Sequence, residues 1–219
     1  MGNRYDTSDP TQREEGLGEA GRAVQRGQLV VLPTDTVYGV GADAFNPDAV
    51  QRLLDAKGRG RDMPPPVLVS ARTTLEALAI DIPDWAHSLV EELWPGPLTL
   101  VLRQQPSLQW DLGETRGTVA VRMPDHEVAL ELLSRTGPLA VSSANKSGHP
   151  PATDADDAEA QLRRHIRVFL DGGPTPGPVP STIIDCTDET GRVLRLGALS
   201  LERVNEVVAP LGAEIRDEG

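Results

Sequence analysis

The sequence predicts one α/β domain built on a twisted sheet of mixed parallel and antiparallel strands, flanked by helices. Short apolar, β-branched runs recur along the 219 residues and are separated by stretches with helical spacing. The two kinds of element do not alternate strictly, which argues against a purely parallel sheet. Hydrophobic residues make up 38% of the chain but aromatic residues only 3%, so the core must consist mainly of Val, Leu, Ile and Ala.

The first half of the chain begins with a helix, a strand and a second helix. Residues 11–27 place apolar side chains at helical spacing and end at Gly27, and a buried strand is predicted over 28–32. Asn46 and Pro47 combine an N-cap residue with proline at the first helical position, which predicts a helix that ends at Gly58. The same patterns predict helices at 75–80 and 85–94 and strands at 67–70 and 98–102.

The second half continues in the same way. Strands are predicted at 118–123, 138–141, 166–170, 181–186 and 192–196, the last two as a pair, and helices through 128–133 and over 154–164 and 201–211. Residues 172–180 are rich in Gly and Pro and have no periodicity, which predicts a loop. We expect a flexible N-terminal segment at 1–14, a domain at 15–211 and a frayed tail at 212–219.

Composition excludes several classes of protein. The formal net charge of -12 disfavours a stand-alone nucleic-acid binder. The single cysteine, Cys186, excludes an internal disulfide and a cysteine zinc site, and it indicates a reducing compartment. No apolar run is long enough to span a membrane, and the polar start lacks the apolar core of a signal peptide. We therefore expect a cytoplasmic protein that does not contact a membrane.

Common catalytic motifs are absent from the sequence. It contains no P-loop, no GxGxxG between a strand and a helix, no HExxH and no GxSxG. The four histidines are scattered, and Asp154, Asp156 and Asp157 are better explained as the acidic first turn of a helix. No metal site is predicted.

A serine-rich segment follows one buried strand. The strand at 138–141 ends in Ser142, Ser143 and Asn145, whose small polar side chains would form a polar floor. In open α/β sheets, ligands bind at the carboxyl ends of strands. An ordinary Ser/Asn turn is the alternative interpretation.

Several cations are placed where they could bind an anion. Lys57, Arg59 and Arg61 lie within five residues at a predicted helix C-terminus. They could form a clamp for phosphate or carboxylate, or they could only pair with the helix dipole. Arg122 and Arg195 lie in apolar strands, and each should find an anionic partner, either a structural carboxylate or a ligand.

Two threonines follow the first predicted strand. Thr34 and Thr36 flank Asp35 directly after the strand at 28–32. Their hydroxyl groups could line a binding site, or they could only hold a turn through local hydrogen bonds.

Taken together, these segments resemble the YrdC-like threonylcarbamoyl-AMP synthase family. The resemblance covers about residues 15–210. Each motif is weak alone, but their order along the chain is specific. The matching segments are PTDTVYG at 33–39, KGR at 57–59, WPGPLT at 94–99, VAVR at 119–122, SAN with SG at 143–148, and STI at 181–183 with Arg195.

The resemblance implies a YrdC-like fold and a nucleotidyltransferase. ATP, bicarbonate and L-threonine would give L-threonylcarbamoyl-AMP and pyrophosphate, with Mg²⁺ accompanying ATP. Downstream transfer proteins would then move the threonylcarbamoyl group to an adenosine next to the tRNA anticodon, so that tRNA would be only an indirect partner.

The resemblance also implies residue roles. Lys57 and Arg59 would be catalytic. The ATP-binding residues would be Lys57, Arg59, Thr118, Ser143, Asn145 and Arg195, and the threonine-binding residues Thr36, Arg122, Ser181, Thr34 and Ser142, with Arg122 on the carboxylate.

Three positions depart from the family pattern, and two other functions stay open. The family often has Pro, Asn and His where this chain has Gly60, Met63 and Leu68. The last two replacements would each remove a substrate contact. The alternatives are a YrdC-like paralogue with another carbamoyl acceptor and a non-catalytic RNA-binding module.

Overall fold

One eleven-stranded sheet organises residues 2–217, the part of the chain that the computed structural model describes. The strands are β1 Asn3–Asp6, β2 Leu29–Leu32, β3 Gly39–Asp43, β4 Val67–Leu68, β5 Ala79–Ile80, β6 Leu98–Gln104, β7 Thr118–Arg122, β8 Leu139–Ser143, β9 Ile166–Asp171, β10 Thr182–Asp185 and β11 Arg192–Arg195. The helices are α1 Pro10–Gln25, α2 Pro47–Lys57, α3 Thr74–Leu78, α4 Asp84–Leu93, α5 Glu127–Thr136, α6 Ala155–Leu162 and α7 Leu201–Val208, followed by a 3₁₀ turn at Ala209–Leu211.

The strand order confirms the predicted mixed sheet. It runs β1-β9-β2-β3-β8-β4-β7-β6-β10-β11, with β5 pairing β6 off this path. Strand β9 is parallel to both β1 and β2, whereas β3 is antiparallel to both β2 and β8. The predicted pairing of the last two strands is also confirmed, since β10 and β11 are antiparallel.

Helices cover both faces of the half of the sheet that contains β2. Successive residues of a strand point to opposite faces. Val30 and Leu32 accordingly pack with α1 and α5, whereas Leu29 and Val31 pack with α2 and α6. This burial on both faces explains why the segment is apolar at every position.

The half of the sheet that contains β6 has a large apolar core on one face. Leu98, Leu100 and Leu102 are fully buried in a cluster that includes α4 and α7. The alternate residues Thr99 and Val101 point to the other face and line a cavity. The functional site therefore lies on this second face.

Capping residues define helix α2, which leads into the site. The side chain of Asn46 accepts a hydrogen bond from the backbone N–H of Ala49. Gly58 ends the helix in the left-handed conformation, with φ of 62°, which glycine adopts without the steric cost of a Cβ. The sequence predicts both ends correctly, because both capping signals are local.

Three short elements differ from the prediction. Residues 75–80 do not form one helix: α3 ends at Leu78, and 79–80 become extended as β5 beside β6. Strand β3 is not predicted, because its two glycines weaken the strand pattern. The predicted helix 201–211 changes to a 3₁₀ turn at its end, where Pro210 lacks the N–H that an α-helix needs.

The N-terminal segment predicted as flexible contains regular structure. Residues 3–6 form β1 at the sheet edge, and α1 begins at Pro10 with Asp9 as its N-cap. Arg4 ties β1 to β9 through an ion pair with Asp171, with an N–O distance of 2.7 Å. Strand β1 is hard to detect in the sequence because Tyr5 is its only buried residue.

The predicted tail is described as far as residue 217. Ile215 is 1% exposed, and the side-chain amide of Asn205 both donates to and accepts from its backbone. Residues 218–219 lie outside the described part of the chain. Within the described part, no helix has the length and apolar character needed to cross a membrane.

Candidate active site

A cavity of about 500 Å³ lies on the open face of β6, β7, β10 and β11. The segments that follow β2 and β8 form its remaining walls, and Pro64, Pro65 and Pro66 line one side. Its size suits a nucleotide-sized ligand. Ten of the eleven predicted site residues line it: Thr34, Thr36, Arg59, Thr118, Arg122, Ser142, Ser143, Asn145, Ser181 and Arg195.

Arg122 is the most deeply buried of the cations that line the cavity. Its Nε donates to the carbonyl oxygen of Gly96 at 3.0 Å, its Nη1 to Oγ1 of Thr36 at 3.0 Å and its Nη2 to Oδ1 of Asp35 at 2.5 Å. Burial lowers the pKa of Arg122, and the adjacent Asp35 carboxylate opposes that shift. These three contacts fix the orientation of the guanidinium plane.

Two further guanidinium groups reach the same cavity. Arg195 donates from Nε and Nη2 to the carbonyl oxygen of Ser181, at 3.1 and 2.8 Å. Arg59 donates from Nη1 to Oγ of Ser142 at 3.1 Å, while its buried Nε has no partner among the described residues. Burial lowers the pKa of both groups, and for Arg195 the nearby cations Arg122 and Arg59 lower it further.

The cavity therefore carries an unbalanced positive charge. The guanidinium groups of Arg122 and Arg59 lie close enough to Arg195 to lower its pKa, and no Asp or Glu is among the described residues that line the cavity. Asp35 pairs with Arg122 and Asp62 acts on Arg59 from outside the lining, so positive charge remains in excess. Arg195 forms no ion pair in the described part of the chain, so it has no structural carboxylate as a partner. The arrangement favours binding of an anion.

Lys57 is the one predicted residue that does not line the cavity. Its side chain lies beneath the serine segment and is 3% exposed. Its ammonium group donates to the carbonyl oxygens of Ser143 at 2.5 Å and Asn145 at 2.7 Å. Burial, with a smaller effect of Arg59, lowers the pKa of Lys57 to about 8. Lys57 thus supports the polar floor.

Hydroxyl groups line the cavity between the cations. The hydroxyls of Ser181 and Thr99 are 2.8 Å apart. Thr34 fulfils the turn interpretation, since its Oγ1 accepts from the N–H of Thr36 and donates to the carbonyl of Val37. Thr36 instead holds Arg122. Both threonines line the cavity, and the local turn interpretation holds for Thr34.

The side chain of Asn145 stabilises its own loop. Its Nδ2 donates to the carbonyl oxygens of Lys146 and His149, each at 2.8 Å. Its Oδ1 faces the ammonium group of Lys57 at 3.5 Å. The loop that bears Asn145 is consequently held in place from below and from within.

The positions that depart from the family pattern have different surroundings. Leu68 is buried and lines the cavity, so it adds apolar surface there. Met63 is 43% exposed, and Gly60 and Met63 do not line the cavity. Arg61 also lies outside it, where its guanidinium pairs with Asp111 at 2.6 Å. Of the predicted cationic clamp, only Arg59 enters the cavity.

Sequence reasoning missed two residues of the site. Thr99 is the polar residue within the otherwise apolar segment 98–102, and that break in pattern could have marked it. Asp35 contacts Arg122 behind the cavity wall. Its position between two selected threonines was a signal, but its partner is 87 residues away.

The sequence is similar to that of known proteins over most of its length. The family model Sua5/YciO/YrdC, described as telomere recombination, matches residues 22–197. A protein from Mycobacterium tuberculosis is 56% identical over 208 residues, which are 95% of this chain and 96% of that protein. Threonylcarbamoyl-AMP synthase from Bacillus subtilis is 38% identical over 94% of this chain and 60% of its own length.

Solved structures show the same fold. Sua5 of P. abyssi complexed with L-threonine has a TM-score of 0.87 and 37% identity, and it covers 98% of this chain. The match spans 62% of that structure's chain, so the P. abyssi protein is considerably longer. The family model, the curated relatives and the solved structures each match most of this chain. The chain belongs to the Sua5/YciO/YrdC family.

Proposed function

We propose that this protein is a nucleotidyltransferase that forms L-threonylcarbamoyl-AMP and pyrophosphate from ATP, bicarbonate and L-threonine. The observation that carries the proposal is the convergence of Arg59, Arg122 and Arg195 on one cavity, where no carboxylate is among the lining residues of the described range 2–217. The substrates bring a triphosphate and a carboxylate, which need several cations. The names of the relatives agree with this assignment.

The cations would divide between the triphosphate of ATP and the carboxylate of threonine. Arg122 would offer a planar pair of N–H groups to the threonine carboxylate, and the hydroxyl of Ser181 lines the same cavity. Arg59 and Arg195, with the hydroxyls of Ser142, Ser143 and Thr118, would hold the phosphates. The buried Nε of Arg59 has no partner in the part of the chain that the structure describes, and a phosphate oxygen would satisfy it.

The proposed chemistry needs alignment more than a covalent nucleophile. The threonine amine attacks bicarbonate, a C–N bond forms, and water leaves to give a carbamate. A carbamate oxygen then attacks the α-phosphate of ATP, a P–O bond forms, and the bond to the β-phosphate breaks. The guanidinium groups would stabilise the charge that develops on the phosphates.

The remaining partners are part of the proposal. Magnesium would arrive with ATP and be held largely by triphosphate oxygens, since the lining offers hydroxyls and cations rather than carboxylates. The product would pass to transfer proteins that modify tRNA. We place the reaction in the cytoplasm, where these substrates are available.

The direct test measures pyrophosphate released from ATP by the purified protein. Release should require both threonine and bicarbonate. Arg59→Ala should lower the rate at least about a hundredfold, because it removes a preorganised donor to the phosphates.

Arg61→Ala is the matched control for this test. Arg61 is two residues away, exposed and outside the cavity, so its loss should leave the rate within about twofold of the unmodified protein. Pyrophosphate release that does not depend on threonine, or an equal loss of rate in Arg59→Ala and Arg61→Ala, would contradict the proposal.

A further inference from the structure

Asp35 lies behind Arg122 and does not itself line the cavity. Its Oδ1 accepts from Nη2 of Arg122 at 2.5 Å and from the backbone N–H of Asp125 at 3.0 Å. Its Oδ2 is buried and has no hydrogen-bond partner among the described residues. The proposed reaction uses neither oxygen, so the carboxylate needs another explanation.

The hydrogen bonds of Arg122 show which of its N–H groups Asp35 leaves free for a ligand. A guanidinium carries five N–H groups. Gly96, Thr36 and Asp35 take one each, which leaves two, one on each Nη atom. Only these two can bind a ligand carboxylate. Asp35 is the one charged partner of Arg122 in the described part of the chain. It therefore sets both the orientation of these two N–H groups and the effective charge of the guanidinium.

His126 is near enough to Asp35 for the carboxylate to affect its pKa. Asp125, whose N–H binds Asp35, immediately precedes it. A Cβ built on Gly172 would be 3.4 Å from Cε1 of His126 and 2.9 Å from Cγ of Pro33, so Gly172 adjoins both the His126 ring and the proline that begins the Thr34–Asp35 segment. The Nδ1 of His126 is buried without a partner among the described residues.

The charges facing His126 are known. Burial has the largest effect and lowers its pKa below the ordinary value. The carboxylates of Asp35, Glu127 and Asp125 raise the pKa, Asp35 most strongly, while Arg13 lowers it. His126 is therefore neutral near pH 7 and gains its charge beside Asp35 as the pH falls.

We infer that Asp35 is the positioning residue of the subsite that binds the amino-acid carboxylate, and that His126 makes this subsite sensitive to pH. This inference rests on the proposed function, because it concerns how Arg122 holds threonine. When His126 is neutral, Asp35 holds Arg122 in the binding orientation. When His126 is protonated, it competes with Arg122 for the Asp35 carboxylate. The guanidinium of Arg122 is then held less firmly in the binding orientation.

Calorimetric titration of L-threonine into the full chain, without ATP or bicarbonate, tests the role of Asp35. In Asp35→Asn the dissociation constant for threonine should rise at least about tenfold, because the guanidinium of Arg122 is misaligned. The dissociation constant for ATP should stay within about twofold of that of the unmodified protein. A disrupted fold would instead weaken the binding of both ligands.

Glu127→Gln is the matched control. It removes another carboxylate near His126 that contacts neither Asp35 nor Arg122, and threonine affinity should not change. Unchanged or tighter threonine binding in Asp35→Asn overturns the inference.

The pH profile tests His126 without disturbing the ion pair. As the pH is lowered from about 7.5 to below the ordinary histidine pKa of about 6.5, threonine affinity of the unmodified protein should begin to fall only once His126 starts to gain its proton, and this dependence should be absent in His126→Gln. Threonine itself does not titrate in this range. A flat profile in the unmodified protein, or the same profile in both, overturns the role of His126.

If Asp35→Asn fails to fold, the comparison of pH profiles still tests the inference, because His126→Gln leaves the ion pair of Asp35 and Arg122 intact. The pyrophosphate assay separates this inference from the proposed function. A protein that shows both threonine effects but releases no pyrophosphate with bicarbonate would contradict the proposed function alone. A protein that releases pyrophosphate but shows neither effect would contradict the inference alone.

Discussion

At the scale of the residue, the cations of the site are recognisable in the sequence, but their directions are not. Arg122 and Arg195 stand out because each lies in an apolar strand, where a charge needs a partner. Lys57 looks equivalent to Arg59 in the sequence. Yet Lys57 ends helix α2 and turns under the floor, whereas Arg59 follows Gly58 and enters the cavity. That difference depends on tertiary packing.

The buried ammonium group of Lys57 should leave a signature in the pH dependence of stability. The unfolded chain keeps this proton to about pH 10.5, whereas the folded protein releases it near pH 8. The unfolded state therefore binds more protons between these values, and the free energy of unfolding that Lys57 contributes rises with pH.

Lys57→Met lacks this titration. Relative to the variant, the unmodified protein should gain about 1 kcal/mol per pH unit between about pH 8 and about pH 10, measured by urea unfolding. Cys186 and Tyr38 have raised pKa values and act in the opposite direction, but both proteins contain them, so their effect cancels. A constant difference in stability across this range would contradict the prediction.

At the scale of the element, segments with a local sequence signal are predictable, and segments that depend on distant partners are not. Helix α2 has an N-cap, a proline at its first position and a glycine after its end, and all of these signals are local. Strand β4 lies within the predicted strand at 67–70, whereas β5, predicted as helix, owes its extended conformation to pairing with β6. Strand β1 pairs with β9, more than 160 residues away, so no local pattern marks it.

Two glycines of α1 distinguish a packing position from an open one. A Cβ on Gly16 would be 2.7 Å from the Cβ of Tyr5 and 3.0 Å from Cδ2 of Leu170, whereas nothing lies within 4 Å of a Cβ on Gly21. Gly16→Ala should lower the free energy of unfolding by about 1–3 kcal/mol, because it overpacks the contact with β1 and β9.

Gly21→Ala is the control in the same helix. It should raise the free energy of unfolding by up to about 1 kcal/mol through helix propensity alone. Urea unfolding measures both variants. Opposite signs are expected, and the same sign for both would show that propensity outweighs the contact of α1 with β1.

At the scale of the whole molecule, the site is a positive region in a protein whose net charge is -12. The overall charge disfavours RNA binding, but it does not reveal a local cluster of cations. That cluster appears only when Arg59, Arg122 and Arg195, from three separate segments, meet over one face of the sheet. The sequence contains the groups, and the topology brings them together.

This charge distribution predicts a selective effect of salt. Raising NaCl from about 0.05 to about 0.5 M should increase the KM for ATP several-fold, because salt screens the attraction between the triphosphate and partly open cations. The KM for threonine should change much less, because threonine has no net charge and Arg122 is deeply buried. Steady-state pyrophosphate release measures both constants, and an equal change in both would contradict the prediction.

The spread of the cavity along the chain has a consequence for biosynthesis. Its walls begin at Thr34 and are completed only by Leu194 and Arg195 in the last strand. A growing polypeptide on the ribosome cannot assemble half of this pocket, since each wall needs strands that are translated far apart. Substrate affinity must therefore arise in one late step, after β11 has emerged and joined β10. Unfinished chains would not sequester ATP.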